Sequence, residues 1–222
     1  WVHQCDEEHT NMRCQVAEAP LPARVLDIKS ASPEGIALYE SKGEFGRYAT
    51  LSHVWGTTNP FETKKTNIET HKNGIDIGQL PPTFSDAITL ARMLDICYLW
   101  IDALCICQDD DVDWSREAAN MANIYSNACI MLSATGSEDD SEGLPFVSSK
   151  RSPPIYETFE CTTNGTVGNV HAFSILREVA AFPRNDVLLR DEPLSQRGWA
   201  LQERWLTHLI LHFGSKQMFF EC

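Results

Sequence analysis

Tyr98-Leu99-Trp100-Ile101-Asp102-Ala103-Leu104 is the stretch on which the fold turns. It is apolar on both faces of an extended chain, and only Asp102 breaks the pattern. A strand buried on both sides belongs to a parallel sheet covered by helices, so the neighbouring segments should supply further strands and helices. Upstream, Tyr48 to Val54 is a mostly apolar run that opens into Trp55-Gly56-Thr57-Thr58 and reads as a buried strand entering a loop. Downstream, Cys129 to Ala134 reads as a third strand. After Pro81-Pro82, Thr83 is placed to cap a helix that gathers Phe84, Ala87, Ile88, Ala91 and Leu94 on one face. A second helix follows the acidic turn Asp109 to Asp113, marked by Trp114, Ala118, Met121, Ala122 and Tyr125. Strand, helix, strand, helix, strand between residues 48 and 134 defines an α/β domain.

Outside this unit the signals are more local. Residues 1–23 are polar, contain Pro20 and Pro22, and read as an arm or extension, leaving 24–222 as a single domain. Arg24 to Ile28 and Ile36 to Glu40 read as edge strands, and Phe61 to Leu80 as a long surface connection. A variable insertion is expected near 135–193, with Ile155 to Glu160 pairing with Gly168 to Phe173 across Asn164-Gly165. Gly198 to Thr207 predicts a helix, and Leu209 to Phe213 with Gln217 to Glu221 predict a hairpin around Gly214.

The composition narrows the function classes. Of 222 residues, 43% are hydrophobic, and 31 acidic against 18 basic residues give a formal charge of -13. That balance disfavours nucleic acid, while a local cationic pocket remains open to a phosphorylated small molecule. No run is long and apolar enough for a membrane span. Residues 1–10 show no basic stretch leading into an apolar one, and Met is absent at position 1, so the chain reads as a domain excised from a longer one. The 8 cysteines, four inside apolar segments, read as reduced core thiols of an intracellular protein.

If the three central strands are parallel, their C-terminal ends bring Ser52 to Thr57, Asp102 to Asp113 and Ser133 to Gly136 to one crevice. Asp102, a charge in a buried strand, must be paired: it orients Ser52, His53 or a ligand hydroxyl, or it ties down loop amides. Gln108 suits an amide or adenine edge. Glu117, three residues after Trp114, borders the packed stripe and suits a sugar hydroxyl, a water or a developing oxocarbenium ion; the plainer reading is a first-turn acid favoured by the helix dipole. Trp199 and Glu203 share a helical face with Arg197 at its entrance, and Arg197 either engages a pyrophosphate through its planar fork or pairs with a carboxylate. Cys105 with Cys107, and His3, Cys5, His9 and Cys14, lack the spacing of a known finger, so no metal is expected. Phosphate-loop, dinucleotide-turn and nucleophile-elbow signatures are absent.

From Tyr48 to Cys222 the sequence resembles the fungal heterokaryon incompatibility, or HET, domain. The resemblance is carried by Leu51-Ser52 through Trp55-Gly56, Leu80-Pro81 through Ala87-Ile88, Tyr98 to Gln108, Trp114 to Ala128, and Leu194 to Glu203. It implies a cytoplasmic, cell-death-inducing effector of nonself recognition, governed by regulatory domains or partner proteins and open to homo-oligomer formation. HET domains are in turn distantly similar to TIR domains, which implies a TIR-like or flavodoxin-like parallel sheet flanked by helices, with irregular and hairpin insertions. Trp114-Ser115-Arg116-Glu117 resembles the TIR catalytic Trp-Cys-x-x-Glu, implying Glu117 as catalytic residue and NAD as a substrate, not a bound cofactor. Ser52, Trp55, Gly56, Asp102, Gln108, Trp114, Arg197 and Glu203 would bind the ligand or support the site. The resemblance is equally compatible with a non-enzymatic signalling module acting through self-association or partner binding.

Overall fold

All five residues of Tyr48–Ser52 are buried, and the rest of the fold is arranged around them in the computed structural model, which describes residues 2, 5, 18–29, 35–56, 60–145, 156–163, 166–173 and 189–222. The described chain opens with β1 (Ala19–Pro20), β2 (Arg24–Asp27), β3 (Gly35–Glu40) and β4 (Phe45–Gly46), then enters the centre as β5 (Tyr48–Ser52). Next come α1 (Ile68–Asn73), β6 (Ile75–Asp76), α2 (Pro82–Met93), β7 (Tyr98–Trp100), α3 (Asp102–Cys105), α4 (Asp111–Asn127) and β8 (Ile130–Ser133). The hairpin β9 (Tyr156–Thr163) and β10 (Thr166–Phe173) stands apart as a two-stranded sheet, and α5 (Gly198–Leu206), β11 (Ile210–Phe213) and β12 (Met218–Glu221) complete the chain.

The main sheet has eight strands in the order β12-β11-β8-β5-β7-β2-β3-β6. Its centre, β11-β8-β5-β7, is parallel, whereas β12 on one side and β2, β3 and β6 on the other are antiparallel. The sheet is therefore mixed, and the parallel arrangement expected from the apolar runs holds only at its centre.

Four expectations need correction. The segments 24–28 and 36–40, expected at an edge, are interior: β2 pairs with β7 and β3, and β3 pairs with β2 and β6. The strand expected over residues 98–104 stops at Trp100, and Asp102–Cys105 is a helical turn. Ala103, Leu104 and Cys105 are all buried, and a short segment buried on every side carries no periodicity that separates helix from strand. The connection Phe61 to Leu80 is not a bare surface loop: it holds α1 and β6, with Phe61 stacked on His71 at 5.7 Å and Thr63 Oγ1 2.8 Å from His71 Nδ1. Thr83 does not cap α2; the helix begins at Pro82 and makes no side-chain cap bond, because proline presets the first helical φ and has no N–H to satisfy.

The expected stripe does bury α2. Phe84, Ala87, Ile88 and Ala91 have no solvent exposure. Helix α4 is capped by Asp110, whose carboxylate accepts from Val112 N. The hairpins β9–β10 and β11–β12 pair antiparallel in the expected segments, although Ile155, Asn164 and Gly165 lie outside the described residues, as do His3, His9 and Cys14 of the arm. Among the described residues, Cys97, Cys105 and Cys107 are free thiols.

Candidate active site at the strand ends

Strand β5 ends at Ser52, and β7 runs through Ile101 into Asp102 at the first position of α3. Helix α4 presents Trp114, Ala118, Met121 and Tyr125 on one face at helical spacing, and α5, preceded by Arg197, presents Trp199, Ala200 and Glu203. Together these side chains line a cleft that opens to solvent. Its position at the carboxyl ends of β5 and β7 is where open α/β sheets bind ligands.

Glu203 is the centre of the polar network. Ser52, only 2% exposed, donates its hydroxyl to Glu203 Oε2, and Tyr125 also hydrogen-bonds to this carboxylate. Burial, reinforced by the nearby Asp102 charge, pushes the Glu203 carboxyl up to about 7, against the opposing pull of Ser52, Arg197 and Tyr125. A carboxyl with that value exchanges its proton near neutrality, as acid–base catalysis requires. Arg197 donates through Nη1 to the His53 carbonyl at 2.8 Å, which anchors the guanidinium at the cleft wall. Helix α5 has no side-chain cap at its N-terminus.

A second set of contacts positions the aromatic wall. Trp55 Nε1 donates to Asp102 Oδ2 at 2.9 Å, and Ala103 N donates to Asp102 Oδ1 at 2.8 Å. Asp102 therefore fixes the Trp55 ring of the cleft, a partner the sequence reading did not name, and holds the Ala103 amide in the first turn of α3. His53 stacks on Trp55 with centroids 6.3 Å apart, and its Nδ1 is 3.8 Å from Asp102 Oδ1, beyond hydrogen-bond range. Burial lowers the His53 pKa, and Nε2 has no hydrogen-bond partner among the described residues. Gln108 Nε2 donates to the Asp102 carbonyl at 2.8 Å. Trp114 and Trp199 are 49% and 60% exposed, so two large rings face the cleft with surface still to cover.

The structure brings Ser52, Trp55, Asp102, Gln108, Trp114, Arg197 and Glu203 together around this cleft. Glu117 and Gly56 are not among its lining residues. Glu117 is 3% exposed and sits on the flank of α4 that carries Asp113, where Arg116 Nε donates to its Oε1 at 3.1 Å. Gly56 lies against Asp140, whose carboxylate occupies the space a Cβ would take. Residues missed as site members include Ala118, Met121, Tyr125 and Leu194. The first three belong to an apolar stripe that reads as core, and only the Tyr125 hydroxyl offered a polar signal. Among the described residues, no group of three or more His, Cys, Asp or Glu side chains is placed to hold a metal ion.

The architecture defines an α/β domain with a large mixed sheet and a single-chain cleft at the ends of its central strands. The heterokaryon incompatibility protein (HET) family profile matches residues 48–203. The chain belongs to the HET family. No curated protein and no solved structure matches it. Among the described residues, no helix is long and apolar enough to cross a membrane.

Proposed function

We propose that this HET-family domain is a cell-death-inducing effector of nonself recognition whose cleft hydrolyses NAD at the nicotinamide N-glycosidic bond. The observation that carries the reading is Glu203: a partly buried carboxyl poised near 7, held by Ser52, facing a cleft walled by Trp55, Trp114 and Trp199.

In this reading a tryptophan ring stacks on the nicotinamide. Arg197 and the uncapped start of α5 face the pyrophosphate. The ring is cationic in the substrate, so when the C–N bond breaks its electron pair leaves with nicotinamide, which departs neutral. The Glu203 carboxylate stabilises the positive charge that develops on the ribose. Water adds to the anomeric carbon, and its proton passes to Glu203 and then to solvent. The products are nicotinamide, ADP-ribose and one proton. The catalytic carboxylate in this reading is Glu203, and Glu117 packs on the flank of α4 against Arg116, outside the cleft.

Nicotinamide release by purified wild type, Glu203→Gln and Glu117→Gln across a wide concentration range tests this. The expected outcome is at least a hundredfold loss in folded Glu203→Gln and less than tenfold in Glu117→Gln. The reverse pattern returns the catalytic role to Glu117. Absence of turnover at any assembly state supports the second reading, a signalling module acting through self-association or partner binding. That reading is favoured by the exposed apolar side chains of α5, Leu201 at 56% and Trp205 at 82%.

A further inference from the structure

A second cleft lies between α5 and the ends of β8 and β11 and shares Ser52, Leu194 and Ala200 with the first. Its chemistry differs. The first cleft contains Asp102 and Glu203, whereas the second, among the described residues, is lined by Arg190 and Arg204 and by no carboxylate. Arg204 is engaged by Glu221, so Arg190 is the lining cation turned toward an anion in a chain of formal charge -13.

The polar wall is equally specific. Ser133, Thr135 and His212 are 3%, 2% and 3% exposed. Ser133 Oγ lies 2.8 Å from Thr135 Oγ1, Thr135 Oγ1 lies 3.1 Å from His212 Nδ1, and His212 Nε2 lies 3.0 Å from Glu221 Oε2. Arg204 grips that carboxylate through Nε and Nη2, both at 2.8 Å. A neutral His212 that donates from Nε2 to Glu221 accepts the Thr135 proton at Nδ1, and Thr135 in turn accepts the proton of Ser133. Ser133 then presents lone pairs to the cleft. Ser52, whose proton is directed to Glu203, does the same. These two serines are register partners on adjacent parallel strands, about 4.8 Å apart. Two neighbouring acceptor oxygens suit a ligand that donates two neighbouring hydroxyl protons.

We propose that this second cleft binds a phosphorylated pentose, its vicinal diol donating to Ser52 and Ser133 and its phosphate engaged by the exposed Arg190. An arginine fork suits phosphate because two N–H groups meet two oxygens. The site does not depend on NAD hydrolysis. Because Ser52 borders both clefts, occupancy of the second is transmitted directly to Glu203.

Calorimetric titration of the full chain with ribose 5-phosphate, 2-deoxyribose 5-phosphate and NAD tests the site, with circular dichroism verifying the fold of each variant. Ribose 5-phosphate is expected to bind saturably, about tenfold more weakly to Arg190→Gln and to Ser133→Ala, and the deoxy compound more weakly than the ribose. Affinity for ribose 5-phosphate unchanged in Trp114→Ala identifies a free sugar phosphate as ligand. NAD affinity reduced by both Arg190→Gln and Trp114→Ala identifies the phosphorylated pentose of a dinucleotide lying across both clefts. The proposal is overturned if neither ribose 5-phosphate nor NAD responds to Arg190→Gln and Ser133→Ala in folded protein.

Discussion

Ser52 and Glu203 are hydrogen-bonded across a separation of 151 residues. The serine ends the central strand and the glutamate lies on a helix that precedes the last hairpin, so the cleft closes only when α5 is laid over the finished strand ends. The bond also tunes the acid: Ser52 is the strongest influence holding the Glu203 pKa down against burial.

Ser52→Ala should therefore raise the Glu203 midpoint above its value of about 7. Carboxyl-carbon NMR titration of wild type and variant measures this without reference to turnover. An unchanged midpoint would show that the serine does not tune the acid.

The same group sets a pH dependence of stability. Its folded value, about 7, exceeds the ordinary 4.5, so the protonated native form is favoured. The contribution is fully present below about 4.5 and is lost as pH rises through about 7, which costs about 2 kcal/mol after allowance for solvent at the cleft. Urea unfolding at pH 5 and 8 should show this loss in wild type and not in Glu203→Gln. Under the proposed chemistry, kcat/KM for NAD rises over the same interval, because the ionised carboxylate is the working form.

Arg24 and Asp113 form a buried ion pair between β2 and α4. Arg24 Nε also donates to the Cys105 carbonyl at 2.7 Å, and Cys107 N donates to Asp113 Oδ2 at 2.9 Å. Burial opposes the Asp113 charge, but these donors outweigh it and hold its pKa below the ordinary carboxylate value. Arg24→Met leaves that carboxylate short of a partner and should cost about 3 kcal/mol in denaturant unfolding. Arg24→Met combined with Asp113→Asn should lose less than the two single changes summed, and strict additivity would argue against coupling.

Phe84 is wholly buried on α2 and meets His53 edge-on at 5.0 Å. Phe84→Ala should destabilise by about 3–5 kcal/mol through the lost burial and the cavity left behind. The His53 ring, released on that edge, should show altered proton chemical shifts. A loss below about 1 kcal/mol would mean that α2 collapses into the gap.

Much of the framework was legible because hydrophobic periodicity reports burial along one element. The stripe from Phe84 to Ala91, the buried run of β5 and the β11–β12 hairpin each declare themselves within a dozen residues. The turn Asp102–Cys105 did not, because a residue buried on all sides gives the same signal in helix and strand. Of the seven cleft residues recognised in advance, Ser52, Trp55, Asp102 and Gln108 stand at or after the ends of β5 and β7, while Trp114, Arg197 and Glu203 are brought to them by α4 and α5; Tyr125 was masked by its place in an apolar stripe.

Glu117 and Glu203 mark the limit of that reading. Sequence alone determined the alternation of strands and helices from Tyr48 to Ala134, the net acidic charge and membership of an α/β class, since each follows from local composition and spacing. Only tertiary structure decided that antiparallel strands flank the parallel centre, that Glu117 packs on the flank of α4 beside Arg116, and that Glu203 enters the cleft. A helical carboxylate at the edge of an apolar stripe looks the same in sequence whichever way it points. Its environment depends on elements packed from elsewhere in the chain, here β5 and α5, and their meeting places Glu203 against Ser52.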